Sequence, residues 1–94
     1  MPVGMFRALA DPNRIALVAW LAIQRAPKTV SEVVASGCCP TDFSVVSRHL
    51  HTLRDAGIVQ AERAGREVLY QLDASSLVAT LRKVADVIER CCKR

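Results

Sequence analysis

The sequence predicts a mainly α-helical domain that carries one small β-hairpin, arranged as a winged helix-turn-helix. Two observations lead to this fold class. Residues 44–56 have the periodicity of a short amphipathic helix that ends at Ala56-Gly57, and a shorter helix and a turn precede it. Two segments with the period-2 pattern of strands follow, and the turn between them contains Gly65.

The first quarter of the chain predicts two helices. Residues 1–10 are short and apolar, enough for one or two helical turns. Asp11-Pro12 marks a helix start, because aspartate caps free N–H groups and proline suits the first helical position. The second helix is expected over residues 13–25, ending at Ala26-Pro27. Its large apolar residues nearly surround it, which predicts a central, buried helix: Ile15, Leu17, Val18, Trp20, Leu21 and Ile23.

A short helix, a turn and a longer helix are predicted next. Residues 29–32 match a capping box, and Gly37 closes the short helix. Cys38-Cys39-Pro40 forms the turn, and Thr41 or Asp42 caps the longer helix. This order is the helix-turn-helix pattern.

The longer helix has an apolar side and a polar side. Val46, Leu50 and Leu53 fall on one stripe. The other side carries small hydroxyls, a cation and an imidazole, as the DNA-reading helix of this fold does: Ser44, Ser47, Arg48, His51 and Asp55. An ordinary amphipathic surface helix is the alternative interpretation.

The hairpin is the candidate wing. Residues 59–63 and 68–72 are its predicted strands, and residues 64–67 are its turn. Arg63 and Arg66 place cations near the tip, where a phosphate backbone could be reached. Simple solubility is the alternative explanation for these two arginines.

The last helix is expected over residues 77–92, with caps supplied by residues 73–76. Its apolar residues are spaced 4, 3, 4, 3, a heptad-like seam for another helix: Leu77, Leu81, Val84, Ile88 and Cys91. In so short a chain the seam is expected to meet its own copy across a twofold axis, giving a homodimer.

Composition limits the class of protein. The 94 residues are expected to form one domain over residues 1–94, with a core of aliphatic residues because aromatics are only 4%. The formal net charge of +4 suits a polyanionic partner. No signal peptide and no run of about 20 apolar residues is present, so we expect a cytoplasmic protein without membrane contact. In that compartment cysteines serve as thiols or ligands more often than as disulfides.

Four segments resemble the ArsR/SmtB family of bacterial repressors, and the similarity extends over roughly residues 5–92. They are FRALADPNR at 6–14, SRHL at 47–50, LRDAGIV at 53–59 and GREVLY at 65–70. The resemblance implies a homodimeric winged helix-turn-helix repressor that binds operator DNA and is released by an inducer, commonly a metal ion or metalloid. It assigns the reading positions to Ser44, Val45, Ser47, Arg48 and His51. His49 borders the packed side and is expected to be structural.

The chain departs from two inducer sites familiar in that family. The helix before the turn, residues 30–35, lacks the Cys-x-Cys pair of many arsenic sensors. The last helix has Asp86 and Glu89 but no histidine, unlike the zinc-type sensors. A different inducer site is therefore expected.

The four cysteines form two adjacent pairs. Cys38-Cys39 precedes the reading helix, whose dipole is expected to lower the thiol pKa, and Cys91-Cys92 precedes two cations. Thiolates select soft ions such as arsenic(III), antimony(III), mercury(II) or copper(I), and a Cys₄ zinc site is chemically possible. We expect Cys38 and Cys39 to be the first ligands, with a third thiolate from Cys91 or Cys92 of the same or the partner subunit.

Other functions stay open at this point. The same thiols could form a disulfide or polysulfide bridge in a redox- or persulfide-sensing repressor. The chain could also be a DNA-binding module with inert, buried cysteines. An enzyme is not expected, because the sequence has no C-x-x-C, no catalytic Cys–His pattern and no nucleotide loop, and no organic cofactor is expected.

Overall fold

The computed structural model describes residues 3–92, which form five helices and one antiparallel hairpin in the predicted order. The bounds are α1 (Val3–Leu9), α2 (Pro12–Ala22), α3 (Val30–Ser36), α4 (Phe43–Asp55), β1 (Val59–Ala64), β2 (Glu67–Leu72) and α5 (Ala74–Cys91). The predictions for residues 1–2 and for the two cations at residues 93–94 lie outside the described residues. The mainly α-helical fold with a hairpin after the second helix of a helix-turn-helix is confirmed.

Aspartate caps begin three of the helices. The Asp11 carboxylate accepts hydrogen bonds from the N–H groups of Asn13 and Arg14 at the start of α2. Asp42 caps α4 and Asp73 caps α5 in the same way. These side chains satisfy donors that have no partner inside the helix, so the helix starts are set locally by the sequence.

The capping box of α3 is confirmed. The Thr29 N–H donates to Glu32 Oε1 at 3.0 Å, and the Glu32 N–H donates back to Thr29 Oγ1 at 3.2 Å. At the other end Gly37 has a φ of 68°, which glycine adopts without a Cβ clash. Residues 38–42 then lead directly into α4.

The hairpin is tighter than predicted. Its ladder runs from Val59 opposite Leu72 to Ala64 opposite Glu67, leaving Gly65 and Arg66 as a two-residue turn. Gly65 has a φ of 65° there, as the favoured hairpin turns require. Lys28 and Tyr70 exchange two backbone hydrogen bonds of 2.8 and 2.7 Å, which fasten β2 to the segment before α3.

The core forms where α2, α3, α4 and the base of the hairpin meet. Its fully buried side chains come from each of these elements: Leu17, Val33, Val46, Leu50, Leu53, Ile58 and Tyr70. The polar side of α4 therefore faces away from a continuous apolar cluster.

The expectation that helix α2 is buried all round is wrong. Leu17 and Leu21 face the core, but Ile15 is 54% exposed and Ile23 is 76% exposed. The helix also ends at Ala22 rather than near Arg25. Just beyond this end, the Gln24 side-chain amide donates to the backbone carbonyl of Trp20. A single small core covers one side of α2, and nothing else within residues 3–92 packs on the other.

In residues 3–92, no helix has the length and apolar character needed to cross a bilayer.

The three aspartate caps make the stability of the fold depend on pH. Helix N–H groups hold the pKa of Asp11, Asp42 and Asp73 below the ordinary value of 3.8. A carboxylate with a lowered pKa stabilises the fold above its unfolded pKa, and this contribution is lost as the pH falls through the folded pKa. Urea midpoints should therefore fall steadily as the pH is lowered from about 5 to about 2.

The matched variant carries Asp11→Asn, Asp42→Asn and Asp73→Asn. Asparagine caps helices about as well as aspartate but does not titrate, so the acid loss of stability should be shallower. The same slope in both proteins would contradict the assignment of that loss to the caps.

Candidate nucleic-acid interface and thiol pair

Burial of the apolar stripe orients the polar face of α4. Val46, Leu50 and Leu53 have no measurable exposure. Because an α-helix has 3.6 residues per turn, burial of these three residues places Ser44, Arg48 and His51 on the outward side of α4. All three are exposed, while Val45 and Ser47 are half-buried at the margins of the face. The five predicted reading positions thus lie on or beside one accessible helical surface.

The first turn of α4 is organised by its cap. Asp42 accepts a hydrogen bond of 3.0 Å from the Val45 N–H and another of 3.0 Å from the Ser44 hydroxyl. These bonds lower the pKa of the Asp42 carboxyl, and Arg48 contributes a further electrostatic lowering. The carboxylate therefore stays ionised near neutral pH and holds the Ser44 hydroxyl at the start of the helix.

The wing approaches the same helix from one side. Arg66 lies in the hairpin turn and lines a groove of about 250 Å³ together with Phe43, Ser47 and His51 of α4. Arg63 is exposed on β1 and does not line that groove. Of the two predicted wing cations, Arg66 is the one that the structure brings next to the reading helix.

A hydrogen-bond network around Arg14, which was not predicted from the sequence, connects α4 to the N-terminal helices. Arg14 Nη1 is 3.3 Å from Nδ1 of His49, and the Arg14 guanidinium also donates to the backbone carbonyls of Arg7 and Ala8. Arginine can only donate, so Nδ1 of His49 accepts this bond. His49 Nε2 is buried without a hydrogen-bond partner in residues 3–92. Through Arg14, His49 connects α4 to α2 and to the end of α1, which gives it a structural contact.

The Cys38-Cys39 pair lies at the turn before α4. The two Sγ atoms are 3.9 Å apart, with Cys38 half-buried and Cys39 only 4% exposed among core residues. The Thr41 N–H donates to the carbonyl of Cys39 at 2.9 Å, so this turn is tied directly to the start of α4.

The expected lowering of thiol pKa in this pair is wrong for Cys39. Burial, and to a smaller extent the neighbouring Cys38, raise the pKa of Cys39 from the ordinary 9.0 to about 11. A helix dipole favours a thiolate, but its effect falls off within the first turn, and removal from water outweighs it here.

The second cysteine pair occupies a different environment. Cys91 and Cys92 are both exposed at the end of α5. Within residues 3–92 no three histidine, cysteine or acidic side chains come together as a metal site. One chain therefore does not bring a terminal cysteine to the Cys38-Cys39 pair.

The predicted seam of α5 is only partly covered by its own chain. Leu77 is 8% exposed and joins the core, and Val84 is half-buried. Leu81 and Ile88 are 46% and 55% exposed, and Val78 and Val87 beside them are exposed as well. The distal half of α5 presents an apolar face to solvent.

Comparison with known proteins identifies the class. A helix-turn-helix with a wing and an outward polar helix is the architecture of a DNA-binding transcriptional regulator. The fold matches the homodimeric winged helix-turn-helix DNA-binding domain of a possible ArsR-family regulator from Mycobacterium bovis, with a TM-score of 0.67 and 26% identity, over 89% of this chain and 77% of that one. No protein-family model matches the chain.

Two sequence relatives give the family. The HTH-type transcriptional repressor SmtB of Mycobacterium tuberculosis is 46% identical over 68 residues, which cover 72% of this chain and 47% of the relative. The arsenical resistance operon repressor of Escherichia coli is 31% identical over 94 residues, covering 97% of this chain and 74% of the relative. The chain belongs to the ArsR/SmtB family of transcriptional regulators, which is not an enzyme family. It spans about half the length of the M. tuberculosis repressor.

The raised pKa of Cys39 predicts selective resistance to alkylation. A rise from 9.0 to about 11 lowers the thiolate fraction near neutral pH about 100-fold. Variants that retain a single cysteine lose the contribution of Cys38 but keep the burial of Cys39, which is the larger cause. In these variants Cys39 should still react with iodoacetamide more slowly than Cys91, as measured by mass spectrometry over time. In urea the two rates should converge. Equal rates in the folded proteins would contradict the burial of this thiol.

Proposed function

We propose that the chain is a transcriptional repressor that binds operator DNA as a homodimer and leaves it when a thiophilic metal or metalloid binds cysteine thiolates. Arsenite, antimonite and mercury(II) are the proposed inducers, with no organic cofactor. The observation that carries the proposal is a pair of sulfur atoms 3.9 Å apart, tied to the first turn of the reading helix.

The DNA-binding part rests on the surface of α4. Its exposed side carries hydroxyl, guanidinium and imidazole donors but no acidic residue before Asp55. Side chains near the start of such a helix contact base edges in the major groove, and a wing cation reaches the phosphates. We assign these contacts to Ser44, Val45, Ser47, Arg48 and His51, with Arg66 and Arg63 on the wing.

The homodimer is supported by apolar surface left uncovered in the single chain. Leu81 and Ile88 on α5 are about half exposed, as are Val3 on α1 and Ile15 on α2. A small monomer gains stability by covering such residues, and a twofold dimer presents two reading helices to successive major grooves. We assign the α5 part of the interface to Leu77, Leu81, Val84 and Ile88, and we treat residues 1–94 as one domain.

The geometry of the thiol pair suits a metal ion. Two thiolates bound about 2.3 Å from one tetrahedral ion lie about 3.8 Å apart. The observed separation of 3.9 Å allows both sulfur atoms to bind one ion after small adjustments. Sulfur ligands without nearby histidine favour soft ions over hard ones. Since a single chain does not supply a third ligand among residues 3–92, we assign it to Cys91 or Cys92 of the partner subunit.

Ion binding at this pair would act on the reading helix through two connections. Cys39 belongs to the core that holds α4, and its carbonyl accepts the Thr41 N–H one residue before the Asp42 cap. Binding deprotonates a thiol whose pKa is about 11, so a buried neutral group becomes part of a charged complex. The strain of that change falls on the first turn of α4. Linkage then requires DNA to weaken ion binding by the same factor, typically about 5–150-fold.

The DNA assignment predicts that Arg48→Ala weakens binding to a duplex selected by the wild-type protein. Loss of a guanidinium contact to a base should cost about 5–150-fold in affinity. Arg82→Ala, an equal change of charge on the exposed side of α5, is the matched control. Fluorescence anisotropy at several salt concentrations gives both affinity and salt dependence. Unchanged affinity of Arg48→Ala would contradict the assignment of α4.

The inducer assignment predicts release of the same duplex from the reduced protein by arsenite or mercury(II). The Cys38→Ser/Cys39→Ser variant should bind DNA but no longer be released, because its hydroxyls do not replace thiolates as ligands for soft ions. Cys91→Ser/Cys92→Ser tests the third ligand in the same assay.

Other outcomes of this titration identify the alternatives. Release only by an oxidant or a persulfide, with the matching mass change, would replace the metal proposal with a redox sensor. No release by any of these reagents would leave a DNA-binding module with inert thiols.

A further inference from the structure

Phe43 is an exposed aromatic residue on an otherwise polar surface. It is the first residue of α4 and is 53% exposed. The other large exposed hydrophobic residues within residues 3–92 belong to α1, α5 and the α2 region: Val3, Ile15, Ile23, Val78, Leu81, Val87 and Ile88. Phe43 therefore stands apart from the apolar surface that we assign to the dimer.

The neighbours of Phe43 indicate what it meets. Phe43, Ser47 and His51 are spaced four residues apart and line one groove with Arg66 of the wing. The groove is also lined by apolar Val30 and Val68 and by the carboxylate of Glu67 beside Arg66. On α4 itself the ring is followed by a hydroxyl and an imidazole, next to the predicted reading positions, and this helix face carries no carboxylate before Asp55. A helix face of this kind suits a polyanion with apolar groups on its bases better than the apolar face of a protein.

Major-groove DNA offers one such apolar group, the C5-methyl of thymine. Phenylalanine contacts that methyl group, and residues at the start of a recognition helix reach base edges first. We propose that Phe43 is a specificity-determining residue that reads a thymine methyl group in each operator half-site. This inference rests on the proposed DNA-binding function and adds a residue and a base feature to it.

The experiment removes the methyl group alone. A duplex selected from random DNA by the wild-type protein is resynthesised with each thymine replaced in turn by deoxyuridine, which keeps base pairing and lacks the C5-methyl. At one position per half-site, wild-type affinity should fall about fourfold, the equilibrium effect of one buried methyl group. The Phe43→Ala variant should bind the thymine and deoxyuridine duplexes equally well.

Three further measurements separate this reading role from a structural one. Phe43→Leu keeps an apolar side chain and should retain part of the methyl dependence, and thermal unfolding should show that both variants fold. Sedimentation of the variants reports dimerisation. A change of oligomeric state without methyl dependence would place Phe43 in a protein interface and overturn the inference.

The inference and the proposed function fail in different ways. A wild-type protein that selects no duplex would overturn the DNA-binding function itself. A wild-type protein that binds its duplex but is indifferent to every deoxyuridine substitution would overturn only the role of Phe43. The role of Phe43 would also be overturned if Phe43→Ala lowered the affinity for the thymine and deoxyuridine duplexes by the same factor, because the variant would then keep the wild-type preference for thymine.

Discussion

Burial of three side chains on α4 fixes the orientation of the whole candidate interface. Val46, Leu50 and Leu53 are completely buried, so the helix cannot rotate about its axis without exposing one of them. The Arg14–His49 contact beside this stripe reinforces the orientation, because one guanidinium joins α4 to the backbone at the end of α1. The polar face carries no comparable packing. The position of the polar face of α4 is therefore determined by the burial of Val46, Leu50 and Leu53 on the opposite face.

The same core determines the chemistry of the thiol pair. Cys39 contributes to the cluster that holds α4, and removal from water makes its thiol harder to deprotonate than an ordinary cysteine thiol. Cys38, beside it, is half-buried. A ligand that requires two thiolates therefore has to reach an accessible sulfur first and then extract a proton from a core residue. This sequence of events would connect ligand chemistry to packing without any contact between the ligand and DNA.

Local rules in the sequence predicted most of the fold. Aspartate caps, the Thr29–Glu32 box and the glycines at 37 and 65 each act on their own neighbours, so their effects are readable without knowing the rest of the chain. The stripe on α4 was predictable for the same reason. The burial of helix α2 was not predictable from the sequence. Apolar residues all round a helix are expected both for a fully buried helix and for a helix that lies between a core and a second surface.

The parts of the site that depend on distant residues were not predictable. Arg14 reaches His49 across 35 positions of sequence, and no spacing rule announces that contact. The pKa of Cys39 depends on how deeply the turn is packed, which a helix-dipole argument from sequence does not include. The exposure of Phe43 could not be predicted either, because an apolar residue next to a helix cap usually packs against the core or the neighbouring turn.

The molecule separates two kinds of surface, and this separation gives the proposed mechanism its geometry. The predicted reading positions and the wing arginines lie on α4 and the hairpin, whereas the exposed aliphatic residues lie on α1, α5 and the α2 region. The two cysteine pairs follow the same division, one at the turn before α4 and one at the end of α5. An ion that took thiolates from both pairs would have to join the reading side of one subunit to the dimer side of its partner. Because half-site spacing is a property of the dimer, such a bridge would act directly on the distance between the two reading helices.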